Sequence, residues 1–195
     1  LGNVYLALVH HPVYNKHLEV VTTSVTNLDI HDIARSSRTY GIKNYYIVHP
    51  SSTMKQLINK VLNFWQEGYG ASYNPDRKEA FRIVKLVDCL EDVVLDIEKI
   101  EGKKPLTVST DARVYPNTVS YNFLRKKIKE DENPYLLLFG TGWGLTREVM
   151  ESTTYILEPI YGPTDYNHLS VRSAVAIILD RLLGEEWFCK SKLLS

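Results

Sequence analysis

The chain has 195 residues, 44% of them hydrophobic and 24% charged, so it is long enough to bury one sizeable core and too apolar for intrinsic disorder. Its 23 Lys and Arg balance 23 Asp and Glu, which excludes a global basic field for nucleic acid and leaves any RNA contact to local clustering. Cys89 and Cys189 form no metal or redox motif, no apolar run approaches the ~20 residues of a membrane span, and no signal peptide opens the sequence, so a soluble cytoplasmic protein is expected.

Val4–Val9 (VYLALV) reads as a short apolar strand ending at His10-His11-Pro12. Residues 19–25 are β-prone but polar and are left irregular or briefly extended. From Asp29 to Tyr40, Ile30, Ile33, Ala34, Ser37 and Tyr40 recur at helical spacing, and Gly41 suits the left-handed residue that stops a helix. A second strand covers Tyr45–Val48. Ser51 or Ser52 caps a helix striped by Met54, Leu57, Ile58, Val61, Leu62 and Trp65. Gly68 to Asp76 is rich in turn residues and reads as a loop. Ile83–Val87 alternates as a strand, Leu90–Ile100 is helical, and Leu106–Ser109 is a strand closing at Thr110-Asp111-Ala112-Arg113. A basic helix follows over Ser120–Lys129.

Next comes Pro134 to Leu145, PYLLLFGTGWGL, on which the rest is organised. Leu136 to Phe139 form a strand buried on both faces, and Gly140, Gly142 and Gly144 then arrive on alternate positions before a helix beginning near Thr146. Strand, glycine turn and helix is where open α/β sheets hold ligands, and it is equally a tight connection with no ligand. Tyr155–Leu157 is the last strand, a loop with Pro159, Gly162 and Pro163 follows, and Leu169–Leu183 is a closing helix. The tail from Glu185, with Trp187 and Phe188, is read as packing on a neighbour or fraying. Six strands alternating with helices predict one α/β domain over residues 1–195, a mostly parallel sheet with helices on both faces.

Three stretches resemble, in order, the motifs of the SPOUT methyltransferases, especially the TrmH-like branch. Asn27, Ala34, Arg35 and Gly41 match the first motif, Phe139-Gly140 and Gly144-Leu145 the second. Glu158-Pro159-Ile160 with His168-Leu169-Ser170 and the Ala-containing run after them match the third. The second motif usually carries a Glu where Gly142 stands, and in the third Ser170 replaces Asn and Arg172 replaces Ser. The resemblance implies a deep trefoil knot in the C-terminal half, an obligate homodimer, and S-adenosylmethionine (SAM) as cofactor for methylation of tRNA or rRNA. It favours a ribose 2′-hydroxyl over a base nitrogen such as guanine N1, the target of the TrmD-like branch.

On that basis Phe139, Gly140, Gly142, Gly144, Leu145, Ile160, His168 and Leu169 are expected to form the cofactor pocket, with Thr110 at its edge and Ser170 beside it. Phe139, Leu145 and Leu169 read equally as core, and His168 and Ser170 as a helix-capping pair. Arg35 is the residue expected to act on the acceptor. A guanidinium is a poor base, so orienting the acceptor or holding a phosphate suits it best, with a solvated surface Arg as the alternative. Arg38, Arg125, Lys126 and Lys127 extend an RNA contact, or form a solvated face. His10, His11 and His17 lack the carboxylate or Cys spacing that completes a metal site, so no metal is expected. Two rivals remain: a non-catalytic SAM- or RNA-binding module of the same fold, and a nicotinamide dinucleotide enzyme using GTGWG with Glu158 on the ribose. The second is weakened by the missing G-x-G-x-x-G spacing.

Overall fold

The computed structural model describes residues 2–185. It runs from β1 (Val4–Val9) through a hairpin of β2 (Val13–Tyr14) and β3 (Val20–Val21) into α1 (Asn27–Thr39), β4 (Tyr45–Val48) and α2 (Ser52–Gln66). Two short helices, α3 (Tyr69–Tyr73) and α4 (Pro75–Phe81), lead to β5 (Val84–Val87), α5 (Leu90–Glu101) and β6 (Leu106–Thr110). Then come β7 (Thr118–Val119), α6 (Tyr121–Glu130), β8 (Tyr135–Gly140), α7 (Arg147–Ser152), β9 (Tyr155–Leu157) and α8 (Val171–Leu183). Trp187 and Phe188 lie outside the described residues.

Seven strands form one sheet in the order β5-β4-β1-β8-β6-β9-β7, every neighbouring pair parallel. The six strands expected from the sequence are all in it, and β7 is added at the edge. Because side chains alternate across a strand, each central strand serves two cores. Leu6, Leu8, Ile47, Leu137 and Phe139 face α1, α2, α4, α6 and α8, while Tyr5, Ala7, Val9, Leu136 and Leu138 face α5 and α7. Helices on both faces follow from this continuous apolarity.

Local signals account for most helix ends. Thr26 caps α1 by accepting from Asp29 N, Ser51 caps α2 and Ser120 caps α6. At the far end of α1, Ile42 N bonds to Ser37 O and Gly41 N to Arg38 O around Gly41, a Schellman closure. The stretch expected as a loop, residues 68–76, is instead mostly α3 and the start of α4. Its Asn74-Pro75 pair, read as a turn, is an N-cap and first helical residue, with the Asn74 side chain accepting from Arg77 N at 3.0 Å. In α2, Ile58 and Leu62 are buried but Leu57 is exposed, so the stripe is narrower than expected.

Helix α8 packs against both α1 and α6. Arg125 of α6, expected in an RNA patch, donates from Nη1 to Arg181 O at 2.8 Å and from Nη2 to Gly184 O, satisfying carbonyls at the end of α8 that no helical partner reaches. Arg125→Ala is expected to lower stability by about 2 kcal/mol, the scale for charged hydrogen bonds, seen as a melting temperature roughly 4–8 °C lower. An unchanged melting temperature would show that α8 ends as firmly without this bond pair.

Candidate functional site

The strand order reverses beside β1: the chain moves outward through β4 and β5, then crosses to the other side and returns with β8 next to β1. Open parallel sheets leave a crevice at such a point, outside the carboxyl ends of the strands. A cleft of about 780 Å³ lies there, lined by the ends of β6, β8 and β9, the loop after β9 and the first turns of α8. That volume suits a nucleoside-sized ligand.

Nine residues expected in the pocket line this cleft: Thr110, Phe139, Gly140, Gly142, Gly144, Ile160, His168, Leu169 and Ser170. Leu145 does not. It is buried behind the loop and bridges to Val13, so it belongs to the core. Thr110 donates to Leu138 O at 2.9 Å, and Ser170 caps α8 by accepting from Ser173 N at 3.3 Å. His168 and Leu169 are exposed, and the His168 ring stands edge-on to Tyr166.

The glycine loop is held from behind by the β2 strand, which residue-by-residue reading left out. Trp143 N donates to Tyr14 O at 2.9 Å and Tyr14 N to Gly144 O at 3.0 Å. Gly142 has φ +61°, and a Cβ there would lie 2.9 Å from Tyr14 O and 3.2 Å from Thr23 Cγ2. Gly144 has φ +100°, and a Cβ would project toward Asp111 Oδ2 and Arg113 Nη2, at 3.6 and 3.7 Å. Both glycines therefore keep a cradle open that any larger residue would fill or distort.

Asp111, Arg113 and Trp143, which lie in stretches the sequence singled out, also line the cleft, as do Thr23, Ser24, Asp29 and Asn167, which no motif revealed. Asp111, its side chain 6% exposed, accepts from Arg113 N, Nε and Nη2 at 2.9, 3.0 and 2.8 Å and from Tyr115 OH at 3.0 Å. Burial pushes its carboxyl up, but the bonds from Arg113 and Tyr115 outweigh this and leave it below the usual carboxylate range. Asn167 ties the loop before α8 to this segment by donating to Ala112 O at 2.7 Å. Asp29 accepts from Thr26 Oγ1 and pairs with Arg172 Nε at 3.4 Å, while Arg172 Nη1 donates to Asp32 at 2.9 Å. Glu158 accepts from Tyr121 N at 2.7 Å.

Arg35 is not in this cleft. It lies on the exposed side of α1 in a shallow depression with Asp32, Ser36, Thr39, Tyr40 and Ala176. Arg38 is paired with Glu79, donating from Nε and Nη2 at 3.1 and 2.6 Å. On α6, Lys126 is 3.8 Å from Glu130, and Lys127 lies 6.0 Å from the Phe123 ring centre. Among the described residues no three His, Cys, Asp or Glu side chains are grouped to hold a metal ion, and no helix is long and apolar enough to cross a membrane.

Behind the loop sits His10, fully buried, its Nδ1 3.0 Å from Thr23 Oγ1. Burial, with the neighbouring His49, pushes its pKa down to about 4. The folded value lies below the ordinary 6.5, so the unfolded chain binds the proton more readily. Stability is therefore full above pH 6.5 and falls as pH drops toward 4, by on the order of 3 kcal/mol from this group. Urea titrations at pH 7 and pH 4.5 check this: His10→Asn is expected to flatten that part of the profile, and an unaltered slope would assign it to other groups.

Comparison with known proteins bears on what the cleft holds. Residues 3–184 match the family described as SAM-dependent RNA methyltransferases. An uncharacterized protein of Aquifex aeolicus is 49% identical over 182 residues, covering 93% of this chain and 89% of its own. A tRNA (guanine-N(1)-)-methyltransferase of Oleidesulfovibrio alaskensis is 46% identical over 183 residues, or 94% of this chain, which spans only 42% of that protein's length. A methylase-family structure from Haemophilus influenzae superposes with a TM-score of 0.63 at 17% identity, covering all of this chain and 70% of its own, a likeness of fold. The sequence match runs through every strand and helix that builds the cleft, and the chain belongs to the SAM-dependent RNA methyltransferase family.

Proposed function

We propose that the chain methylates a ribose 2′-hydroxyl of tRNA, as a homodimer in the cytoplasm, with SAM held in the cleft by the glycine loop. The cofactor supplies an electrophilic methyl group, displaced in line, so the protein's main work is to align donor and acceptor. Phe139, Ile160 and Leu169 offer an apolar wall, and the backbone around Gly140, Gly142 and Gly144 offers N–H and C=O groups to polar edges. A deep trefoil knot, threading the last helix through an earlier loop, belongs to the same reading, and the seat of α8 against α1 and α6 is compatible with it.

The choice of ribose rests on Arg35, the arginine that matches the first motif. The cleft's carboxylates, Asp29, Asp111 and Glu158, each face a donor or cation of their own, Arg172, Arg113 and Tyr121 N. A ribose hydroxyl gives up its proton to solvent as the C–S bond breaks and the O–CH3 bond forms, and a guanidinium nearby steadies the developing negative charge without acting as a base. Arg35 is the proposed cation. Since it lies outside its own chain's cleft, it would serve the cleft of a second copy, and Arg38, Lys126 and Lys127 would add phosphate contacts.

A guanine N1 target is the second reading, favoured by the name of the Oleidesulfovibrio relative, although more than half of that protein has no counterpart in this chain. The nicotinamide reading is set aside, since the family uses SAM and Glu158 is bonded to Tyr121 N. The test is methyl transfer from labelled SAM to bulk tRNA and rRNA, followed by digestion to nucleosides. A 2′-O-methyl nucleoside is expected. 1-Methylguanosine would establish the second reading, and SAM binding with no labelled RNA of any kind would establish a non-catalytic binding module.

A further inference from the structure

Among the described residues the histidines at the end of β1 join no cluster of three metal-ligating side chains, yet His10 is placed with care. Thr141 Oγ1 lies 3.0 Å from Val9 O, and a carbonyl carries no proton, so Thr141 donates. A hydroxyl has one proton to give. In the short contact between Thr141 Oγ1 and Thr23 Oγ1, Thr23 must then be the donor. That spends the Thr23 proton, so the remaining contact, 3.0 Å between Thr23 Oγ1 and His10 Nδ1, requires the proton on Nδ1. His10 Nε2 is buried and finds no hydrogen-bond partner, which suits a bare lone pair far better than an N–H of an imidazolium. Thr23 N also donates to His10 O at 2.9 Å, fixing the two residues by backbone as well as side chain.

Resting on the reading that the glycine loop holds SAM, we propose that His10 is a positioning residue for that loop. As a neutral imidazole protonated at Nδ1, it heads a one-way chain from His10 to Thr23 to Thr141 to Val9 O. The one donor and one acceptor position of the Thr23 hydroxyl are used by this chain, which fixes its rotamer and sets its Cγ2 against the space above Gly142. Thr141 is the residue between Gly140 and Gly142, so the chain fastens the loop at its first turn. The neighbouring His11 repeats the arrangement on the outside, its Nδ1 3.1 Å from Thr22 Oγ1, so two successive histidines hold the extended segment after β3 that walls the cleft. The downward push of burial and His49 on the His10 pKa agrees with a ring kept neutral at physiological pH.

The test uses the whole chain labelled with 15N at histidine. Two-bond proton–nitrogen correlation spectra at pH 7 should give His10 the pattern of the Nδ1–H tautomer. Thr23→Val removes the acceptor and should abolish that pattern, speed exchange of the Trp143 amide and weaken SAM binding about 10-fold, the scale of one hydrogen bond. Thr23→Ser keeps the hydroxyl and should restore all three. An Nε2–H pattern in the native chain overturns the proposal, as does Thr23→Val with native amide exchange and native SAM affinity. Tautomer and amide exchange are read without ligand. A native chain that shows both expected signals and binds no SAM would therefore count against the cofactor assignment alone.

Discussion

Gly142→Val should weaken SAM binding roughly 100-fold while leaving the fold intact, as measured by calorimetric titration with SAM and far-ultraviolet circular dichroism. Two costs add. The left-handed backbone at φ +61° opposes any β-branched residue by about 1–2 kcal/mol, and the new Cβ would stand 2.9 Å from Tyr14 O. Tyr14 can retreat only by giving up its bonds to Trp143 N and Gly144 O, at about 1 kcal/mol each. The sheet beneath does not depend on those bonds, so the loop moves and the cradle closes. A variant that bound SAM with native affinity would remove the glycine loop from the site and return it to a plain strand-to-helix connection.

Arg35→Ala should do the opposite: leave SAM affinity unchanged and lower the turnover number by about 100-fold or more, the usual scale for losing one group that stabilises developing charge. The residue lies apart from its own cleft, so a loss confined to turnover would mean that it works on a neighbour's. Subunit mixing makes this sharper. In a 1:1 mixture of Arg35→Ala and Gly142→Val chains, half of the proposed homodimers would be mixed and each would have one intact site, so about a quarter of native activity should reappear. If Arg35 served its own cleft, mixing would restore nothing. Full activity of Arg35→Ala alone would reduce it to a surface charge.

The sheet was legible because four of its strands are short continuous apolar runs, such as VYLALV or YLLLF, which a strand covered on both faces explains, and IVKLV alternates. Helices α1 and α8 announced themselves by period and cap. What escaped had a common cause. The hairpin β2–β3 has only two residues per strand, too few to show alternation, yet it supplies the bonds that hold the glycine loop. Helices α3 and α4 hid behind Gly, Asn and Pro, whose local signal is the same at a turn and at a helix start. Of the cleft itself, the strand-end glycines could be read in order, but Asp111 with Arg113, Asn167 with Ala112 and Asp29 with Arg172 could not. Two of these pairings join residues remote in sequence and depend on three-dimensional neighbourhood, and the third, two residues apart, depends on the turn that follows β6. Leu145 shows the converse: a motif position whose side chain the fold turns inward.

The pairing of β1 with β8 has a kinetic consequence. Leu6 lies beside Leu137 and Val9 beside Gly140, so the centre of the sheet joins segments made far apart in time. At about 5–20 residues per second, a ribosome would need roughly 7–25 seconds to make the residues between them, during which β1 has only β4 to pair with. One edge of β1 therefore stays open during synthesis, a hydrophobic strand with unpaired backbone groups. Such non-local pairing also slows folding once the chain is complete. The cleft, built on the end of β8, comes into being only when that edge is closed. In refolding from urea, recovery of SAM binding should accordingly trail recovery of helix signal.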